Sequence, residues 1–313
     1  MSKYHKYRKK PKRFLALTSL TLEEFDELLP DFEVKFYARM EKYTLEGKER
    51  QQRRYVDYQN SPLLGSGAKL FFILSYCKSY PLQEVQAALF DLSQPKASQW
   101  IHSLKPVLQA SLAARNELPA RSLADLTLQC KEQMLFFHDG IERPILRPLD
   151  QEQQRLYYSG KAHAHTVKNN LLIEMSCRVL FLTATVEGKR HDKKVADQTP
   201  YPLPKGSRLS QDSGFQGFSL PDVAILQPKK KPKGQALSDL DKSLNRWHAS
   251  LRIRIEHAIG GVQRLRIVKD KLRNWKDGFR DSIMAIACGL HNLRLKFRPW
   301  HYAPIQLHLF ANF

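Results

Sequence analysis

No apolar stretch in these 313 residues approaches the roughly 20 needed to span a bilayer, which argues against a helical membrane protein. Cysteine is sparse. Cys77, Cys130, Cys177 and Cys288 stand apart with no CxxC pair, so neither a zinc site nor a disulfide framework is expected. The basic N-terminus MSKYHKYRKKPKRF lacks the apolar segment of a secretory signal. A cytoplasmic location, associated with the nucleoid, is the resulting expectation. Acidic residues are also in short supply, with 31 Asp and Glu against 51 Lys and Arg. No internal repeat stands out.

The resulting formal charge of +20 favours a polyanionic partner, because phosphate neutralisation releases counterions and so drives binding. A hydrophobic content of 42% fits a globular chain, and the length suits two domains. Lys9 and Lys10 lie in a basic arm over residues 3–13, read as a mobile tail that touches DNA or simply aids solubility. TSLTLEEFDELLP then predicts a helix capped by Thr21 and Glu24. Three helices follow over about 67–108, with Pro81 in the first turn of the second and Ser93 capping the third. Trp100, Ile101 and Leu104 face inward on that third helix, leaving Gln94, Lys96, Gln99 and His102 outside. A plain helical bundle shows much the same pattern. The net charge favours a helix-turn-helix in which Lys96 and Gln99 contact DNA.

Beyond residue 131 the texture changes to short strands, then a long amphipathic helix stepping through Leu244, Trp247, Leu251, Ile255, Ala258, Val262 and Leu265. That order predicts an α/β or α+β domain. The apolar run Met134–Phe137 ends on His138 and Asp139, and a buried carboxylate must be protonated, paired or bound to a cation. Asp139 is placed at the end of the first strand, Asp212 after a later one, and Glu256 on the long helix beside Ile255. Three such acids could converge on hard divalent cations. Each has an ordinary alternative: a turn cap for Asp139, an Asx-turn for Asp212, and an ion pair between Glu256 and Arg252. On spacing alone the metal reading ranks below these.

The ordered words DGIERPILRP, YYSGKAHAHTVKNNLLI, HDKKVAD, DSGFQG and RIRIEHAIGGVQRLRI resemble the DDE transposases of bacterial insertion sequences, in the group allied to the Harbinger elements. The resemblance runs from about 134 to 295. It implies an RNase H-like mixed five-stranded sheet flanked by helices, with Asp139, Asp212 and Glu256 as the catalytic, metal-holding triad. Two Mg²⁺ ions, or Mn²⁺, would serve cleavage at transposon ends and transfer of the 3′-OH strand into target DNA by a homodimer. Arg252 matches an arginine that contacts DNA, whereas Glu142 belongs to the pattern without binding metal. A lysine usual seven residues after the glutamate is here Gln263, with Arg264 or Arg266 as possible substitutes at the DNA. The domains implied are an arm (1–20), a helical DNA-binding domain (21–125), a catalytic domain (126–298) and a tail (299–313). A catalytically silent DNA-binding regulator, or a nuclease without strand transfer, is the competing reading.

Overall fold

The structure is a computed structural model that describes residues 2–51, 54–130, 134–231, 234 and 236–302. Its first part is helical: α1 (Lys3–Arg8), α2 (Pro11–Thr18), α3 (Leu22–Lys42), α4 (Ser66–Ser79), α5 (Gln83–Leu89), α6 (Gln94–Ala114) and α7 (Leu123–Gln129). Helix α3 starts as the sequence predicts. The Thr21 hydroxyl accepts from Glu24 N, and the Glu24 carboxylate accepts from Thr21 N at 2.8 Å. Helix α4 is apolar on nearly every side and is correspondingly buried. Its Lys69 side chain has no exposure and is held by Asp57 at 2.7 Å.

The N-terminal arm is not a free tail. Tyr4 stacks on Phe25 and Tyr7 on Phe71, while Arg8 pairs with Asp26, so aromatic burial folds α1 and α2 onto α3 and α4. The helix-turn-helix pattern becomes α4, α5 and α6, with Trp100, Ile101 and Leu104 buried. Pro81 lies one residue before the α5 N-cap, Leu82, rather than inside the first turn.

The second part comprises β1 (Leu135–Pro144), α8 (Gln151–Tyr157), β2 (Tyr158–Ser159), β3 (Ala164–Glu174), β4 (Val179–Leu182), β5 (Val186–Glu187), α9 (Asp192–Asp197), β6 (Arg208–Ser210), β7 (Ala224–Leu226), α10 (Asp239–Val262), α11 (Arg266–Lys269) and α12 (Phe279–Phe297). The sheet runs β7, β6, β1, β3, with β2, β4 and β5 all paired to β3. β1 is antiparallel to β3 and parallel to β6, and β6 is parallel to β7. This is the mixed sheet of an RNase H-like fold. Alternate side chains of β1 enter two cores: Phe137 and Ile141 join Leu251, Ile255 and Ile283, whereas Phe136 joins Leu126, Ala196 and Leu209. Helices therefore cover both faces.

Two expectations need correction. Asp139 does not end its strand, because β1 continues through Gly140 to Pro144 with Gly140 opposite Asn170. Gly140 serves close packing rather than a turn: a Cβ there would lie 2.7 Å from Asp192 Cγ. The long helix stops at Val262, and α11 restarts at Arg266. Of the expected tail, Trp300 stacks on His257 and the Tyr302 hydroxyl lies 2.7 Å from His257 Nδ1, while 303–313 lie outside the described residues.

The helical and sheet parts share one core that runs from Phe14 to Leu293. Arg273 ties them further, donating to the carbonyls of Tyr80 at 2.6 Å and Pro81 at 2.8 Å.

Candidate active site

Parallel pairing of β1 with β6 sets Phe137 opposite Ser210. The next residues along the two chains are His138 and Gln211, and then Asp139 and Asp212. His138 Nε2 and Gln211 Oε1 are 2.9 Å apart, both side chains being buried. Burial pushes the His138 imidazole down to about 3, so the ring is neutral and donates to the amide oxygen. Phe215 lies against it, with ring centroids 4.0 Å apart.

Asp139 is 19% exposed and accepts from Gly140 N at 2.7 Å and from Arg252 Nη2 of α10 at 3.0 Å. Its carboxyl is pushed up to about 6, first by burial and then by the negative charge of Asp212, against the pull of Arg252. Asp212 begins a short 3-10 turn, where its side chain accepts from Gly214 N at 2.8 Å. Gln227 Nε2 holds the Asp212 carbonyl at 2.5 Å. Two carboxylates thus lie at neighbouring sheet positions, one of them, Asp139, held by a guanidinium. Their hard oxygens suit a divalent cation in place of that guanidinium.

Residues 138–292 match the family described as DDE superfamily endonuclease. A relative from Microchaete diplosiphon, named as a transposase for insertion sequence element IS702, is 25% identical over 232 residues, which is 74% of this chain and 81% of the relative. A second, from Streptomyces albus G, is named as a transposase for element IS112. It is 25% identical over 139 residues, or 44% of this chain and 52% of the relative. The segment 138–292 carries the DDE superfamily endonuclease domain, and the chain is similar to insertion-sequence transposases. No solved structure matches it.

The remaining residues of interest fall into separate places. Glu256 is exposed on α10, one helical turn past Arg252. Among the described residues no three His, Cys, Asp or Glu side chains gather closely enough to hold a metal, so Glu256 is not drawn into the aspartate pair. Arg252 pairs with Asp139 and not with its helical neighbour Glu256. Gln263 is the C-cap of α10, Arg266 pairs with Asp270 at 2.7 Å, and Arg264 enters a cavity with Arg294 and Arg298. Glu142 accepts from the Thr166 hydroxyl at 2.5 Å and lies 3.7 Å from Lys168 Nζ, which also faces Asp192 at 3.4 Å.

Lys96 is exposed at the start of α6, 3.9 Å from Glu46, whereas Gln99 is half-buried. Lys9 and Lys10 are exposed at the junction of α1 and α2. The tie between His138 and Gln211 escaped sequence reasoning. Its signal was the recurring polar side chain directly before Asp, HD in FFHD and QD in RLSQD.

Proposed function

We propose that this protein is a transposase that cleaves DNA at transposon ends and joins the freed 3′-OH to target DNA. The observation that carries this reading is the placing of Asp139 beside Asp212 inside the segment matched to DDE endonucleases. Asp139, Asp212 and, after a side-chain or helix adjustment, Glu256 would hold two Mg²⁺ or Mn²⁺ ions. When bound, such ions activate the attacking oxygen and stabilise the leaving one in phosphodiester chemistry.

The chain's own residues supply position and charge. His138 and Gln211 fix the separation of the strands that bear the two aspartates. Arg252 neutralises Asp139 in the free protein, and on substrate its guanidinium turns to a DNA phosphate. Lys96 and Gln99 on α6 read end sequence, while Lys9, Lys10, Arg264 and Arg266 contact the backbone. Two ends must be cut, so the active form is a homodimer on DNA, acting in the cytoplasm at the nucleoid. Among the described residues no helix is long and apolar enough to cross a membrane. The closer affinity is with the group allied to Harbinger elements.

Gln263 and the distance of Glu256 from the aspartate pair favour a second reading, a DNA-binding regulator that no longer cuts. The test uses labelled duplexes carrying the repeats that flank the coding gene, with Mg²⁺ or Mn²⁺. Nicked and strand-joined products from wild type, absent with Asp139→Asn and Asp212→Asn, support the transposase. Nicks without joining identify a nuclease, and binding without any cleavage identifies the regulator.

A further inference from the structure

Arg294 on α12 is an anomaly. It is 8% exposed, its Nε is buried with no hydrogen-bond partner, and no carboxylate pairs with its guanidinium among the described residues. A buried charge without a counterion is costly, so it needs a reason to be there. Arg294 lines a cavity of about 280 Å³ with Arg264, Arg298, His291 and Trp300. Burial and the charges of Arg264 and Arg298 draw its guanidinium down to about 10, which leaves it cationic at neutral pH. Lys78 lies close enough to feel Arg264, Arg294 and Arg266, and its ammonium donates to the Arg264 carbonyl at 2.9 Å.

Among the described residues the one acid that acts on Arg264 and Arg294 is Glu24, and it is already engaged. Arg298 binds it through two contacts of 2.7 Å, and Thr21 N donates to it at 2.8 Å. Among the described residues Arg264 and Arg294 are left without an anion. Like charges gathered around an open cavity, and one of them buried, describe an anion site rather than a structural ion pair.

We propose that Arg264, Arg294 and Arg298 form a pocket for a backbone phosphodiester of DNA, at the seam where α10 and α12 meet the helical region. Arg264 lies in the turn between α10 and α11, so the pocket sits just past the C-terminal end of the helix that carries Arg252 and Glu256. A phosphate held there anchors the DNA beside that helix. This inference rests on the reading that the protein acts on DNA.

The test measures binding of labelled duplex DNA over a range of salt concentrations in EDTA, so that neither metal nor cleavage enters. Arg264→Gln, at an exposed position, and Arg294→Met should each weaken binding roughly tenfold. Each should also lower the slope of log K against log salt by about 0.9, the value for one lost phosphate contact. Arg294→Met should unfold at the same temperature as wild type or higher, since it relieves like-charge repulsion. Variants that bind with the wild-type slope overturn the proposal. So does an Arg294→Met that is destabilised while Arg264→Gln binds normally, because Arg294 is then structural. Stabilisation of wild type by inorganic phosphate, lost in Arg294→Met while DNA binding stays intact, identifies a free-phosphate site and also overturns it. A wild type that binds no DNA removes the functional reading as well; unchanged variants of a DNA-binding wild type remove this inference alone.

Discussion

His138 on β1 and Gln211 just after β6 are joined by a buried hydrogen bond of 2.9 Å, one residue before Asp139 and Asp212 respectively. The link ties two parallel strands at the point where regular pairing has ended, since Phe137 and Ser210 are the last residues in register. Without it the backbone at the two aspartates is free to spread.

His138→Leu should leave the Gln211 amide oxygen unpaired in an apolar setting and lower stability by about 1–3 kcal/mol. Displacement of a reacting group by a fraction of an ångström to one ångström costs up to about a hundredfold in rate. Cleavage should therefore fall tenfold or more while DNA binding stays the same. Gln211→Leu should behave alike, and the double variant should lose less than the sum of the two. Chemical denaturation and single-turnover cleavage measure both effects. A folded His138→Leu that cuts at the wild-type rate removes the positioning role.

Asp139 makes a pH prediction with a definite sign. Its folded carboxyl sits at about 6, above the ordinary value of 3.8. Ionised Asp139 therefore opposes folding above about pH 6, and that penalty is relieved as pH falls from 6 towards 3.8. Asp139→Asn should make the metal-free protein more stable near pH 8 by up to about 3 kcal/mol, with the gap closing towards pH 4. Mg²⁺ selects the ionised form, so its stabilisation of wild type should grow with rising pH and be absent in Asp139→Asn. Thermal unfolding at several pH values, with and without Mg²⁺, reads this directly. Equal stability of the two proteins near pH 8 would count against the buried acid pair.

Much of this arrangement was legible from residue order, for reasons that differ by element. The α3 cap was readable because Thr21 and Glu24 satisfy each other locally. The long helix was readable from its apolar stripe, whose Leu251, Ile255, Ala258 and Val262 are buried. The course of β1 was not readable, because Gly140 looks like a turn residue until Asp192, 52 positions away, packs against its Cα. The arm was misread for a similar reason: its Lys and Arg dominate its composition, but Tyr4 and Tyr7 find Phe25 and Phe71 only in the folded chain. Within the site, both aspartates could be nominated from strand ends and family resemblance. The buried His138–Gln211 pair left only the slight signal of a polar residue before each Asp, and the unpaired Arg294 depends on long-range packing and had no local signature.

The two basic surfaces of the helical region should separate on DNA. Lys96 is exposed at the start of α6, whereas Lys9, Lys10, Lys12 and Arg13 are exposed where α1 meets α2. Replacing Lys96 and Gln99 together should cost about 1–3 kcal/mol of preference for end sequence over random duplex. Neutralising Lys9 and Lys10 should weaken both duplexes equally and reduce the salt slope by up to about 1.8. Because α1 and α2 are packed, the second variant should keep the wild-type unfolding temperature. Competition binding with end and random duplexes distinguishes the two effects, and an equal loss on both from the α6 variant removes its reading role.

Glu256 provides the sharpest test of the catalytic assignment. In the free protein it is exposed, one turn beyond the Arg252 that occupies Asp139. If Glu256 completes a divalent-ion site only when DNA draws Arg252 away, Glu256→Gln should leave metal-free stability and end binding unchanged. Cleavage and joining should nevertheless fall by several orders of magnitude, as for Asp139→Asn, because charge neutralisation at the reacting phosphate is lost. Glu142→Gln is the control, since its carboxylate is engaged by Thr166 and Lys168 on the other side of Gly140. It should change cleavage only a few fold. Near-wild-type cutting by Glu256→Gln, with Asp139→Asn inactive, would place the third ligand elsewhere on the chain. Cutting by all three variants at the wild-type rate would end the case for an acid-held metal centre at this site.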